Sequence, residues 1–338
     1  MLSARRLPLP ASPRPWNAVV TFFAKNPRPL KRRAGVTALV LAATAALLAG
    51  CSSSGDSSGN PLTGKKSSGG TVVVGSNNFP ESTLLADLYG EALKAKGIEV
   101  TYKPNIGSRE TTYGLIKNGS LTMLPEYNGA LLAYLDKKAA PKSVAETTAA
   151  ITQHLDPGLT LLEPSPAEDK DSVTVNQQTA QKYHLTAASS IEDLKDVAKD
   201  LVIGGSPEFQ TRQQGLVGLE SVYGLRFKSF KALDAGGPLT QTALQKNVVQ
   251  VADLFTTDPT IAEEKFVTLR DTKNLFGFQN VQPLVRKGAL SQQGVDVLDA
   301  VSARLDTATL LDLNKQVQLQ KKDPLQVARA WLKSAGLS

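Results

Sequence analysis

One cysteine, Cys51, and two histidines, His154 and His184, are all that 338 residues contain of those types. A disulfide needs two thiols, so the chain closes none within itself, and thiolate metal sites go with it. The histidines stand thirty residues apart with no ligand spacing between them, and both read as solvated surface residues. Residues 71–338 contain no GxSxG string of the nucleophile-elbow kind, and the GDSSG at 55–59 falls in a Ser/Gly-rich tract. Acids are missing altogether from residues 1–50, which hold eight basic residues. Removing those eight from the 38 Lys+Arg leaves 30 against 31 Asp+Glu, so the formal +7 becomes −1. The basic balance belongs to the leader, so nucleic-acid binding loses its main support and no nucleic-acid partner is expected.

What is present begins with that leader. Gly35 to Leu48 is apolar but short of the roughly 20 residues a membrane span needs. A basic start, a short apolar core and small residues before a cut site describe an export signal over 1–50. Leu48-Ala49-Gly50-Cys51 resembles a bacterial lipobox, which makes Cys51 the lipidated first residue of the mature chain. The competing readings are an ordinary signal peptide with an incidental cysteine and an uncleaved anchor helix. Residues 51–70, rich in Ser and Gly, read as a flexible tether because they cannot bury enough surface to offset their ordering entropy.

Beyond the tether the pattern turns to strands and helices. TVVVG (71–75) reads as a buried strand, and Pro80 opens a helix whose Leu84, Leu85, Leu88 and Leu93 recur at helical spacing until Gly97. Strands follow at 99–103 and 121–124, with a helix at 109–117 between them and PEYNG (125–129) as a loop. A second unit starts near Ser172, with a helix at 177–183, a helix capped by Ser190, and strands at 201–204 and 248–255. Strands at 266–269 and 281–285 and three helices capped by Ser291, Asp306 and Asp323 complete the chain. The fold class is α/β, with two lobes built on open parallel sheets and joined by two crossovers. Residues 71–170 and 256–338 form lobe 1, and 171–255 form lobe 2. Ligands of such sheets lie beyond the carboxyl ends of the strands, so 77–81, 107–111 and 125–129 share the functional edge.

GSNNFPES, LPEYNG, GSPEFQTRQQGLVGLESVYG, ADLFTTDP and NVQPLVR, spread over residues 71–338, resemble the substrate-binding proteins of osmoprotectant ABC importers. The resemblance implies a type II periplasmic-binding-protein fold that closes like a clam on glycine betaine, choline or a related quaternary amine. It implies no cofactor, no catalysis and a monomer, anchored by lipid to the extracytoplasmic face of the membrane, with a permease and an ATPase as partners. A trimethylammonium group has no N–H, so the family holds it with ring faces at ~0.5–2 kcal/mol each.

Carried over position by position, Tyr127 stands where the family places a cage tyrosine, and Ala130 where a threonine is frequent. Phe255 keeps a ring but lacks the hydroxyl of its counterparts. Asp171 and Thr240/Gln241 stand where two further rings are usual, and Asn77 where a lysine is common. Phe79 and Thr256 flank these positions and join the ligand-binding set. Arg212 has two readings, facing a ligand carboxylate or pairing with an acid across the cleft. Asn280 offers an amide from the returning segment, or simply a turn. Such a box suits plain glycine betaine poorly and a more hydroxylated phenolic, sugar-like or amino-acid-derived solute better. An enzyme on the same scaffold, using Glu81, Glu126 or Asp171 as acid and base, and a surface sensor are the competing classes.

The anchor is open to direct test. Several acyl chains at about 0.8 kcal/mol per buried methylene hold a protein firmly to a bilayer. Cys51→Ala is expected to move the protein from the detergent phase to the aqueous phase in phase partitioning. Equal partitioning of mutant and wild type would rule out Cys51 as the anchor.

Overall fold

The computed structural model describes residues 70–338. The export signal and tether expected at 1–69, with Cys51, lie outside the described residues. Ten strands form two five-stranded sheets. The first contains β1 (Val72–Gly75), β2 (Val100–Lys103), β3 (Met123–Tyr127), β4 (Leu159–Leu161) and β10 (Val281–Arg286), in the order β2-β1-β3-β10-β4. The second contains β5 (Asp171–Val175), β6 (Val202–Gly205), β7 (Ser229–Ala232), β8 (Val251–Phe255) and β9 (Val267–Thr268), in the order β7-β6-β8-β5-β9.

Neither sheet is purely parallel, contrary to the sequence expectation. β1 runs parallel to β2 and β3, and β6 parallel to β7 and β8. β10 is antiparallel to β3 and β4, and β5 antiparallel to β8 and β9. The cause is the crossovers. β5 and β10 each enter from the other lobe and so start at the cleft edge, where β3 and β8 finish. A strand beginning where its neighbour ends must run the opposite way.

The lobe boundary also moves. β9 adds to the second sheet beside β5, and Leu269 and Phe276 pack in the core of that lobe. Residues 256–278 therefore stay with lobe 2, and the chain returns at Gln279–Asn280 rather than at 256. There the two crossovers run side by side, with Asp169 N donating to Gln279 O (3.0 Å) and Val281 N to Ala167 O (3.0 Å). This hydrogen-bonded pair of strands is the hinge.

Local signals mostly hold. Helix 80–95 has Pro80 at its first position and buries Leu84, Leu85, Leu88, Tyr89 and Leu93 against helices 292–304 and 324–334. The side chains of Ser291, Asp306 and Asp323 accept from the amides of Gly294, Thr309 and Gln326, as caps should. Ser190 and Asp193 form a capping box on a short 3-10 turn. PEYNG is not a loop. β10 pairs with β3 as far as Tyr127, and a helix starts at Asn128. The return strand, distant in sequence, extends β3 by three residues beyond the expected end.

That junction is tight. A Cβ on Gly129 would lie 2.0 Å from the carbonyl oxygen of Phe278, just ahead of the hinge. Backbone has to shift to admit it, so Gly129→Ala is expected to cost ~1–3 kcal/mol, read as a lowered melting midpoint in denaturant. A midpoint equal to wild type would show that the junction relaxes freely.

Candidate ligand-binding cleft

The carboxyl ends of both sheets face one cavity, with about 640 Å³ of empty space including its mouth. Lobe 1 contributes Asn77 and Phe79 after β1, Arg109 at the start of helix 109–117, and Tyr127 at the end of β3. Lobe 2 contributes Asp171, Asp253 and Phe255, with Glu208 and Arg212 from the segment after β6. Asp169 and Gln279 come from the two crossovers.

Strand register explains the second lobe's contribution. Asp171 lies directly across from Phe255 in the β5–β8 ladder, and Asp253 is two residues before Phe255. Side chains alternate along a strand, so all three share one face. The Phe79 ring spans the lobes, 5.0 Å from Phe255 and 5.9 Å from Tyr127 between centroids. These are contact distances for aromatic pairs, so the three rings form a continuous wall.

Behind the wall lies a buried acid network. The Tyr127 hydroxyl donates to Glu81 (2.6 Å), which also accepts from the Thr257 hydroxyl and the Asn314 amide. Burial outweighs these bonds and raises the Glu81 carboxyl above its ordinary range. The Tyr127 phenol is pushed up by burial and by the charge of Glu81. Asp169 accepts from the Thr257 amide (2.9 Å), yet burial and the Glu81 charge hold it well above normal. Burial raises Asp171 against the pull of Arg212 and Arg109, and raises Asp253 further with the help of Asp171. Oδ1 of Asp253, a residue 3% exposed, has no hydrogen-bond partner.

Both arginines of the cavity are already engaged. Arg109 clasps the fully buried Glu126 through Nε (3.0 Å) and Nη2 (2.9 Å). Arg212 reaches across from lobe 2 to Glu110 on helix 109–117, through Nε (3.1 Å) and Nη2 (2.8 Å). Burial alone would raise Glu110, but the bonds and charge of Arg212 prevail and bring it to about 2. Arg212 thus lines the cavity and also bridges the lobes.

Of the residues expected here, Asn77, Phe79, Tyr127, Asp171, Arg212 and Phe255 line the cavity. Thr240, Gln241, Thr256 and Asn280 do not, and each has a structural task instead. The Thr240 hydroxyl donates to Asp234 at the start of helix 238–245, and the Gln241 amide to Asp258 (2.9 Å). Thr256 accepts from the Lys170 amide and donates to Asp169. Asn280 sits in the hinge, its amide donating to Ser165 O (3.0 Å). Position beside a motif placed them near the cleft, and side-chain direction turned them away.

Sequence reasoning missed Arg109, Asp169, Asp253 and Gln279. Asp253 carried a readable signal, an acid inside the apolar strand VADLF at two-residue spacing from Phe255. Glu126 likewise follows three buried residues of β3, and an acid there requires a buried cation, which is Arg109.

Two α/β lobes on a double-crossover hinge, with one polar and aromatic cavity between them, define a periplasmic-type solute-binding protein. Comparison with known proteins agrees. The family model described as "substrate binding domain of ABC-type glycine betaine transport system" matches residues 70–334, and the chain belongs to that family. It is 29% identical over 277 residues to the glycine betaine-binding protein YehZ of Escherichia coli, covering 78% of this chain and 90% of that one. It is 27% identical over 280 residues to a glycine-betaine-binding protein of Pseudomonas aeruginosa, covering 78% and 87%. A crystal structure titled as a glycine betaine/carnitine/choline ABC transporter aligns with TM-score 0.62 at 23% identity, over 79% of this chain and 99% of the other. Both relatives are named as binding proteins, and no helix among the described residues is long and apolar enough to cross a membrane.

The raised carboxyls set a pH dependence. With raised folded values, the folded chain binds more protons than the unfolded one between the ordinary range near 4 and those raised values. Stability therefore falls as pH rises through that window. Glu110 acts in the opposite sense, but only between 4.5 and about 2. The ligand-free protein is expected to melt higher at about pH 5.5 than at about pH 7.5, and Asp253→Asn to reduce the difference. A lower melting temperature at the acidic value would mean these groups are solvated.

Proposed function

We propose that this protein is an extracytoplasmic lipoprotein that captures a small osmoprotectant-like organic cation and delivers it to the permease of an ABC importer. The observation that carries the reading is the shared cavity, in which an aromatic wall of Phe79, Tyr127 and Phe255 meets the carboxyls of Asp171 and Asp253. Ring faces attract a cation through their quadrupole, and the carboxyls attract it by charge. The hinge and the Arg212–Glu110 pair suit a clam that shuts over its cargo, since a ligand touching both lobes favours the closed state. The reading involves no chemical step. Lipid attachment at Cys51 places the protein beside its permease, and a single chain suffices for the site.

The ligand's charge follows from the arginines. A zwitterion such as glycine betaine brings a carboxylate, and the guanidiniums that would receive it are clasped by Glu126 and Glu110. Rings are missing at the Asp171 and Thr240/Gln241 positions, and Phe79 offsets one of them. About one ring's worth of cation–π attraction, ~0.5–2 kcal/mol, is therefore forfeited, up to roughly one and a half decades of affinity. Calorimetry is expected to show weak glycine betaine binding and tighter binding of a net cation such as choline. Phe255→Ala should weaken the better ligand by at least ~1 kcal/mol. Submicromolar glycine betaine binding would overturn the charge reading, and full affinity in Phe255→Ala would remove that ring from the site.

A further inference from the structure

We propose that the cleft selects, among small organic cations, those bearing at least one N–H on the charged nitrogen over their fully methylated counterparts, with Asp253 as the acceptor. This rests on reading the cleft as an organic-cation site and goes further by naming the chemistry it prefers.

The first observation is the unpartnered oxygen. Asp253 is 3% exposed, lines the cavity, and its Oδ1 has no donor. Buried polar atoms are seldom left so, and a donor supplied by the ligand would complete this one. The second is a shortage of positive charge. Asp169, Asp171 and Asp253 line one cavity, whose two guanidiniums are each held by a glutamate. Burial raises all three carboxyls, repulsion from neighbouring acids adds to it at Asp169 and Asp253, and a cation in the cavity relieves both. Among the described residues no three His, Cys, Asp or Glu side chains converge as metal ligands, so the geometry favours an organic cation.

Methylation decides which one. A quaternary nitrogen offers Asp253 only C–H groups, so its charge is matched while Oδ1 stays unbonded. An N–H at the same nitrogen forms a charge-assisted hydrogen bond, shorter and stronger than a neutral one. A site that hydrogen-bonds its ligand discriminates strongly against an analogue lacking the donor. The counterweight is ring contact with methyl groups. Phe79 packs on Phe255 and Tyr127, so part of their ring surface is spent on one another. The Tyr127 hydroxyl is turned to Glu81, and Phe209, the fourth ring of the lining, is held in the lobe 2 core.

The test is a methylation series at constant arm length: ethanolamine, N-methylethanolamine, N,N-dimethylethanolamine and choline, titrated calorimetrically into the mature protein at neutral pH. All four are cations, and only the number of N–H groups changes. N,N-dimethylethanolamine is expected to bind at least about tenfold tighter than choline. Asp253→Asn, nearly isosteric and checked for folding by its melting curve, should weaken dimethylethanolamine more than choline. Choline binding as tightly as dimethylethanolamine, or more tightly, would overturn N–H selection while leaving a cation site in place. No binding by any of the four would overturn the cation reading and this inference with it. A wild-type preference that survives in Asp253→Asn would overturn the assignment to Asp253, and the wild-type series needs no variant to fold.

Discussion

Carboxylates held away from water are the constraint around which the cleft is organised. Glu81, Glu126, Asp169 and Asp253 are all buried, and an isolated buried charge costs several kcal/mol unless it is paired, hydrogen-bonded or neutralised. The chain answers differently at each. Glu126 receives a bidentate guanidinium, Glu81 receives three hydrogen bonds, and Asp169 receives donors from Thr256 and Thr257 just after β8. Asp253 lines the cavity and keeps one oxygen without a donor from the fold. The neighbouring groups thus separate acids that hold the structure from an acid that faces cargo.

The lobes depend on the same network. Glu81 starts helix 80–95 in lobe 1, but its partners Thr257 and Asn314 come from the end of β8 and from a helix of the C-terminal segment. Tyr127 is fixed by that carboxylate, so its ring is aligned by residues on three separate stretches of chain. Across the mouth, Arg212 and Glu110 form a pair in which both side chains remain about a third exposed or more. A pair so exposed contributes little net stability. A weak link is compatible with a clam that has to open again, whereas the dry Arg109–Glu126 pair stays within lobe 1 and resists rearrangement.

Local signals were legible because their causes are local. A proline at a helix start, a serine or aspartate at a cap, and leucines at 3.6-residue spacing act within one turn, and helices 80–95, 109–117, 292–304, 307–318 and 324–334 follow from them. Ser143 with Glu146 is the same kind of signal for helix 144–154, although it was not among the helices read from the sequence. The direction of β5 and β10, the length of β3 and the return at Gln279 were not legible, because each is set by a strand far away in sequence.

By itself, then, the sequence determined the two-lobed α/β class, the family resemblance and the strand ends from which the cleft would be built. Six of the ten expected binding residues line the cavity, five of them at or after the carboxyl ends of β1, β3, β6 and β8, a local property, whereas Asp171 opens β5. The tertiary structure decided which side chains face inward and how they are charged. Register between β5 and β8 brought Asp253 and Asp171 onto the face of Phe255, and packing turned Thr240, Gln241, Thr256 and Asn280 to caps and hinge. Pairing with Glu126 and Glu110 committed both arginines. Orientation and charge compensation are set by neighbours from other lobes and other strands, and only the closed fold brings those neighbours together.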